Sequence, residues 1–144
     1  MARILTIIAL LFATPAWAEK LNLFGKEYEV RTTLTCTVLS DIKVRMDDFD
    51  ISSRQYDGGF LKDFDPTTVK LLVNGDLVIG LDRFKRYLGQ KGSNEGFFIW
   101  SALQQIELKK TDLGLLMIWN ERDASWASGK FKIWSEHKWF RCSQ

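Results

Sequence analysis

Histidine is almost missing from this chain: His137 is the only one in 144 residues. A Ser-His or Cys-His catalytic pair would have to be assembled around that single residue, and no G-x-S-x-G elbow is present to present a serine. Cysteine is limited to Cys36 and Cys142, and neither has a histidine or a third thiol at zinc spacing, so no zinc site is read and no cofactor or metal is expected. Asp47, Asp48, Asp50, Asp57, Asp63 and Asp65 crowd one stretch, but Ser53 stands where a calcium loop needs glycine and Gly59 where it needs a bidentate glutamate. Those aspartates read as solvated turn residues that bond their own backbone. An excess of one charge sign is also missing: 20 Lys and Arg oppose 18 Asp and Glu, which gives no general attraction to nucleic acid, and no nucleic acid is expected as a partner.

What is present begins with MARILTIIALLFATPAWAEK. Arg3, the apolar run from Ile4 to Phe12 and the small-x-small triplet Ala16-Trp17-Ala18 have the layout of a cleaved secretory leader over residues 1–18. The run is too short for the roughly 20 apolar residues of a membrane helix, so no membrane span is expected and the protein is placed in a periplasmic or secreted setting. There, an even pair of cysteines defaults to a disulfide, Cys36 to Cys142.

Residues 19–144 read as a single β-rich domain. Tyr28, Val30, Thr32, Leu34, Cys36 and Val38 alternate with polar neighbours, which predicts a long strand with Cys36 on its buried side. A second strand is expected from Ile42 to about Phe49. In TTVKLLVNGDLVIGL, Asn74-Gly75 predicts a two-residue type I′ hairpin with Leu72 opposite Leu77 and two largely apolar faces. LDRFKRYLG, with Asp82 as cap and Phe84, Tyr87 and Leu88 in one stripe, predicts a short helix near 82–88 that covers one of those faces. GFFIW, LQQIELKK, LGLLMIWN and GKFKIW add further strands. The fold class is all-β: one small antiparallel barrel or sandwich of about eight strands, with a disulfide from the first strand to the C-terminus. At that C-terminus, Phe131 and Ile133 differ in parity from Phe140 and Cys142, so a bend at Ser135-Glu136-His137 is expected, with the lysines outward.

Candidate binding residues come from two basic stretches. Arg83, Lys85, Arg86 and Lys91 form one; Lys130, Lys132, Lys138 and the interleaved Trp134 form the other. In a protein of the cell envelope such residues suit a protein partner or a small apolar or anionic ligand better than DNA or RNA. The function expected is an exported, non-catalytic binding module of inhibitor type or ligand type, with a monomer as the expected state. The alternatives are a small hydrolase built on paired carboxylates such as Glu95, Glu107, Glu121, Asp123 and Glu136, or an envelope-associated structural protein. The general plan resembles that of lipocalin-like barrels and of small periplasmic lysozyme-inhibitor barrels, but Gly25-Lys26-Glu27 stands where lipocalins carry G-x-W, and no family is assigned.

Overall fold

The alternation that begins at Tyr28 does not end at Val38. It continues as one strand, β2, from Lys26 to Asp47, so the expected break before Ile42 is absent. The computed structural model describes residues 18–47, 50–57, 66–127 and 130–144, with side chains described over 18–44, 66–124 and 132–144. The leader reading for 1–18 therefore lies, apart from Ala18, outside the described residues, as do the side chains of the aspartate-rich stretch.

Around β2 stand β1 (Lys20–Leu23), β3 (Asp50–Asp57), β4 (Thr67–Leu72), β5 (Leu77–Ile79), β6 (Asp82–Leu88), β7 (Gly96–Ser101), β8 (Gln104–Thr111), β9 (Gly114–Ala127) and β10 (Lys130–Ser143). Eight of them close an antiparallel barrel in the cyclic order β2-β10-β9-β8-β7-β6-β5-β4, with β1 and β3 also paired to β2. The barrel, not the sandwich, is the architecture.

One long strand can serve so many neighbours because successive residues of a strand direct their backbone groups to opposite edges. The Val30 amide donates to the Glu19 carbonyl while the Glu29 carbonyl accepts from the Val73 amide, so β1 and the β4 turn lie on opposite edges. Further along, Thr35–Asp47 pairs with β10, and Ser40–Asp47 pairs with β3.

The segment 82–88 is a strand rather than the expected helix. Leu77 pairs with Phe84 on one side and Lys85 with Ile99 on the other, so both its edges are used by β5 and β7. A seven-residue helix has little stability of its own and would leave those two edges open. No helix occurs among the described residues, and none there is long and apolar enough to cross a membrane.

The β4–β5 hairpin is where the sequence placed it but one residue out of register: Leu71, not Leu72, pairs with Leu77. The Gly75 amide donates to the Leu72 carbonyl, the Leu72 amide donates to the Asp76 carbonyl, and Gly75 has φ 99°. This is a three-residue loop ending in a left-handed glycine, and Asn74 instead accepts a side-chain bond from the Asp76 amide at 2.9 Å.

Both faces of that hairpin are buried, as expected. Val69, Leu71 and Leu77 join Leu34, Phe84, Phe98, Ile106, Leu108, Met117 and Phe140 inside the barrel. On the outer face Leu72 and Val78 pack with Leu23 and Val30, flanked by Leu21 and Tyr28. The cover is therefore the β1–β2 hairpin, the role the sequence assigned to a helix.

Cys36 lies on β2, the second strand, and Cys142 on β10; the two are directly paired across the closing seam and form a disulfide. The bridge spans 106 residues of sequence, and closing a loop of about 100 residues contributes on the order of 4 to 5 kcal/mol through the unfolded chain. Unreduced protein should show no free thiol by mass spectrometry, and urea denaturation with and without reductant should differ by roughly 3 to 5 kcal/mol. Two free thiols, or identical denaturation curves, would contradict the seam.

Candidate functional site

The β1–β2 hairpin turns over two residues, because Leu23 pairs with Lys26. Both turn residues have positive φ, 51° at Phe24 and 79° at Gly25. Gly25 suits that geometry and Phe24 does not, since a side chain in the left-handed region crowds the backbone at about 1 to 2 kcal/mol. The Asn22 side chain steadies the turn by accepting from the Gly25 amide at 3.0 Å. Phe24 is nevertheless 87% exposed, with its ring in water.

Beside it, a groove of about 630 Å³ runs between the hairpin and the outer wall of β6 and β7. Leu81, 66% exposed, and Trp100, 54% exposed, give it apolar edges. Lys26 enters from the hairpin and Arg83 and Lys85 from β6. Arg83 donates to the Tyr28 hydroxyl and pairs with Asp76 at 3.7 Å. Its guanidinium and the Lys26 ammonium lie 5.2 and 5.5 Å from the centre of the Tyr28 ring.

Arg86 and Lys91 are not part of this groove. The Arg86 guanidinium donates to the carbonyls of Gly75, Ser93 and Glu95 at 2.8, 3.0 and 2.7 Å and lies 4.6 Å from the Phe98 ring centre. Arg31 donates to the same Ser93 carbonyl at 2.9 Å. Burial and the neighbouring Arg31 lower the Arg86 pKa. These bonds tie the 89–95 loop to the β4–β5 turn, with Lys91 packed beside Gly75. RFKR thus divides by strand parity, Arg83 and Lys85 to the groove and Arg86 to the end of the barrel.

The second basic stretch also falls differently from expectation. β10 pairs with β9 without interruption from Lys130 to Cys142, so there is no bend at Ser135-Glu136-His137. The irregularity lies on β2 instead, where Trp139 pairs with Ser40 and Phe140 with Val38, leaving Leu39 as the extra residue. Lys132, Trp134, Glu136 and Lys138 consequently share the inward parity of Phe140 and Cys142, and the Lys130 side chain lies outside the described residues. His137 is on the opposite face, its Nδ1 2.6 Å from the Asn120 Oδ1.

That parity builds a charged cluster above the apolar interior. Lys138 pairs with Glu121 at 3.3 Å and with Glu136 at 3.4 Å, and its ammonium lies 5.1 Å from the Trp119 ring centre. Gln104 donates to Glu121 at 2.6 Å, and Lys43 lies 4.8 Å from the Trp134 ring centre. The shift at Leu39 turns Asp41 inward opposite Lys138, where it is only 3% exposed. Burial first, then hydrogen bonding and repulsion from Glu136, push the Asp41 carboxyl up to about 6, against the pull of Lys138 and Lys43. Of the carboxylates considered as a hydrolytic set, Glu121 and Glu136 meet here, whereas Glu95 accepts from the Lys110 amide on another part of the barrel. Among the described residues no group of three or more His, Cys, Asp or Glu is placed to hold a metal ion.

Phe24 and Asp41 were not singled out from sequence. Phe24-Gly25 between Leu21-Asn22-Leu23 and Tyr28 carries a detectable signal, an aromatic where a type I′ turn calls for asparagine or glycine. Asp41 carries none, because its parity is outward until the bulge is known.

No protein-family model matches the chain, and neither a curated protein nor a solved structure matches it. The class its own geometry defines is a disulfide-closed antiparallel barrel with one contiguous buried apolar cluster inside it and an apolar, basic groove on its outer wall.

Because the folded state holds the Asp41 proton up to about pH 6, against 3.8 for an unperturbed aspartate, it binds more protons than the unfolded state in that window, and stability falls as pH rises through it. Asp41→Asn removes the titrating group. The melting temperature of the variant relative to wild type should rise as pH goes from about 4 to about 6; parallel curves would show that Asp41 does not titrate there.

Proposed function

We propose that this chain is an exported, non-catalytic binding module that takes a partner on the outer wall of its barrel, at Phe24 and the adjoining groove. The leader-like residues 1–18 and the Cys36–Cys142 bridge both fit an oxidising compartment outside the cytoplasm. The inside of the barrel is occupied by large side chains in one contiguous cluster, which favours the wall over an internal ligand.

The observation that carries the reading is Phe24. It combines an unfavourable backbone conformation with an exposed aromatic ring, and neither feature stabilises the fold. A residue that lowers stability and gains no contact in return is accounted for by what it touches in a complex. Rigid aromatic side chains are also the commonest energetic anchors of protein interfaces. The hydrolytic alternative has its best pair in Asp41 and Glu136, and the burial of Asp41 leaves little room for a substrate.

Phe24→Asn should raise the unfolding free energy by roughly 0.5 to 1 kcal/mol in chemical denaturation. A photo-crosslinking phenylalanine analogue at position 24, in protein expressed with its own leader in its own host, should yield a discrete adduct that the same analogue at exposed Thr68 does not. Equal adducts at both positions, or none at 24, would defeat this assignment.

A further inference from the structure

We infer that the partner is a protein that lays an acidic segment bearing an apolar side chain into the groove while it encloses Phe24. This rests on the reading of the groove as the binding site and concerns the chemistry of what enters it. Leu23, Leu81, Ile99 and Trp100 make the apolar part of the lining, and the charged part is Lys26, Arg83 and Lys85 against the single acid Asp82. Arg83 is already matched by Asp76. Lys26 and Lys85 have no carboxylate partner among the described residues, and both are exposed.

These two ammonium groups without a carboxylate partner stand on opposite walls. Lys26 follows the hairpin turn, where its ammonium lies 5.5 Å from the centre of the Tyr28 ring. Lys85 is on β6, paired with Ile99 of β7. An occupant of the groove therefore meets apolar side chains at Leu81 and Trp100 and a cation from each wall, and the complementary occupant is an apolar residue accompanied by carboxylates.

The size and shape of the surface select a protein over other anions. A small amphipathic acid in the 630 Å³ groove would touch the side of Phe24 that lines it but would leave most of this 87% exposed residue in water. An anionic bilayer would accept Phe24 but offers nothing convex to enter the recess. A folded partner with its own pocket for the ring and an acidic strand or loop beside it satisfies both features. The knob and the groove then act together, as aromatic anchors do when surrounded by contacts that exclude water.

The test uses a phage-displayed library of random dodecapeptides panned on the full mature protein at low salt, with synthetic peptides made from the recovered consensus. The expected consensus is a Phe, Trp, Leu or Ile flanked by Asp or Glu. Its binding should weaken at least tenfold in the Lys26→Glu, Lys85→Glu double variant, and a charge-swapped peptide carrying Lys in place of the acids should bind that variant better than wild type. Since both lysines are exposed, an unchanged circular dichroism spectrum verifies the fold. A neutral or basic consensus that Phe24→Asn still weakens would overturn the acidic partner and keep the groove. Peptides indifferent to every one of these substitutions would overturn the groove itself. Retention on phosphatidylglycerol vesicles that Phe24→Asn abolishes would assign the surface to lipid and overturn the protein partner.

Discussion

The structure depends on the seam where β2 meets β10. Six of the other seven pairings in the ring are hairpins between chain neighbours and the seventh, β2 with β4, skips only β3, whereas this pairing joins the beginning of the domain to its end. Such a contact has a large loop-closure cost, and the Cys36–Cys142 bridge lies in the seam between directly paired residues. With the seam shut the sheet has no free edge around its circumference. The inward residues of eight strands then meet across a space narrow enough for side chains to fill it.

Closure also explains where the polar groups go. β2, β9 and β10 run on past the apolar cluster, and there their inward positions are mixed, with charged residues beside Trp119 and Trp134. There the inner parity changes from Phe140 and Met117 to Lys138, Glu136 and Glu121. The extra residue at Leu39 lets β2 follow that change while β10 stays regular, and it brings Asp41 into contact with the cluster. Lys138 is shared between Glu121 and Glu136, and beside them burial first, then Glu136, raise the Asp41 pKa to about 6 against the pull of Lys138 and Lys43. The charged end and the apolar interior are one continuous face of the same two strands.

Local chemistry made part of this legible in the sequence. The alternation of Tyr28 to Val38 announced an amphipathic strand and the side on which Cys36 lies, and Asn74-Gly75 marked a hairpin at the right place. What was not legible depended on partners far along the chain. Asp82–Leu88 has a helical stripe, but two waiting strand edges decide its conformation. The type of turn at Gly75 changes the register by one residue without changing composition. The parity conflict between Ile133 and Phe140 was visible, and the bend offered to resolve it was wrong because the switch is real: Ile133 faces outward and Lys138 inward. Of the candidate site, Arg83 and Lys85 belonged to a basic stretch that the sequence placed on a helix together with Arg86; strand parity is what sets those two on the groove and sends Arg86 to the end of the barrel, and the aromatic beside them came from a hairpin whose fold over β5 and β6 no local pattern specifies.

With Leu34, Phe84, Phe98, Ile106, Leu108, Met117 and Phe140 in one buried cluster inside the barrel, the binding surface we propose lies on the wall, with Phe24 and the Leu81–Trp100 groove as its prominent features. The most direct test is to pressurise the protein with xenon, which enters apolar voids, and to locate it by crystallography. The account predicts no xenon inside the ring. An ordered xenon atom between Phe84, Phe98 and Met117 would contradict it and return the interior to consideration as a ligand site.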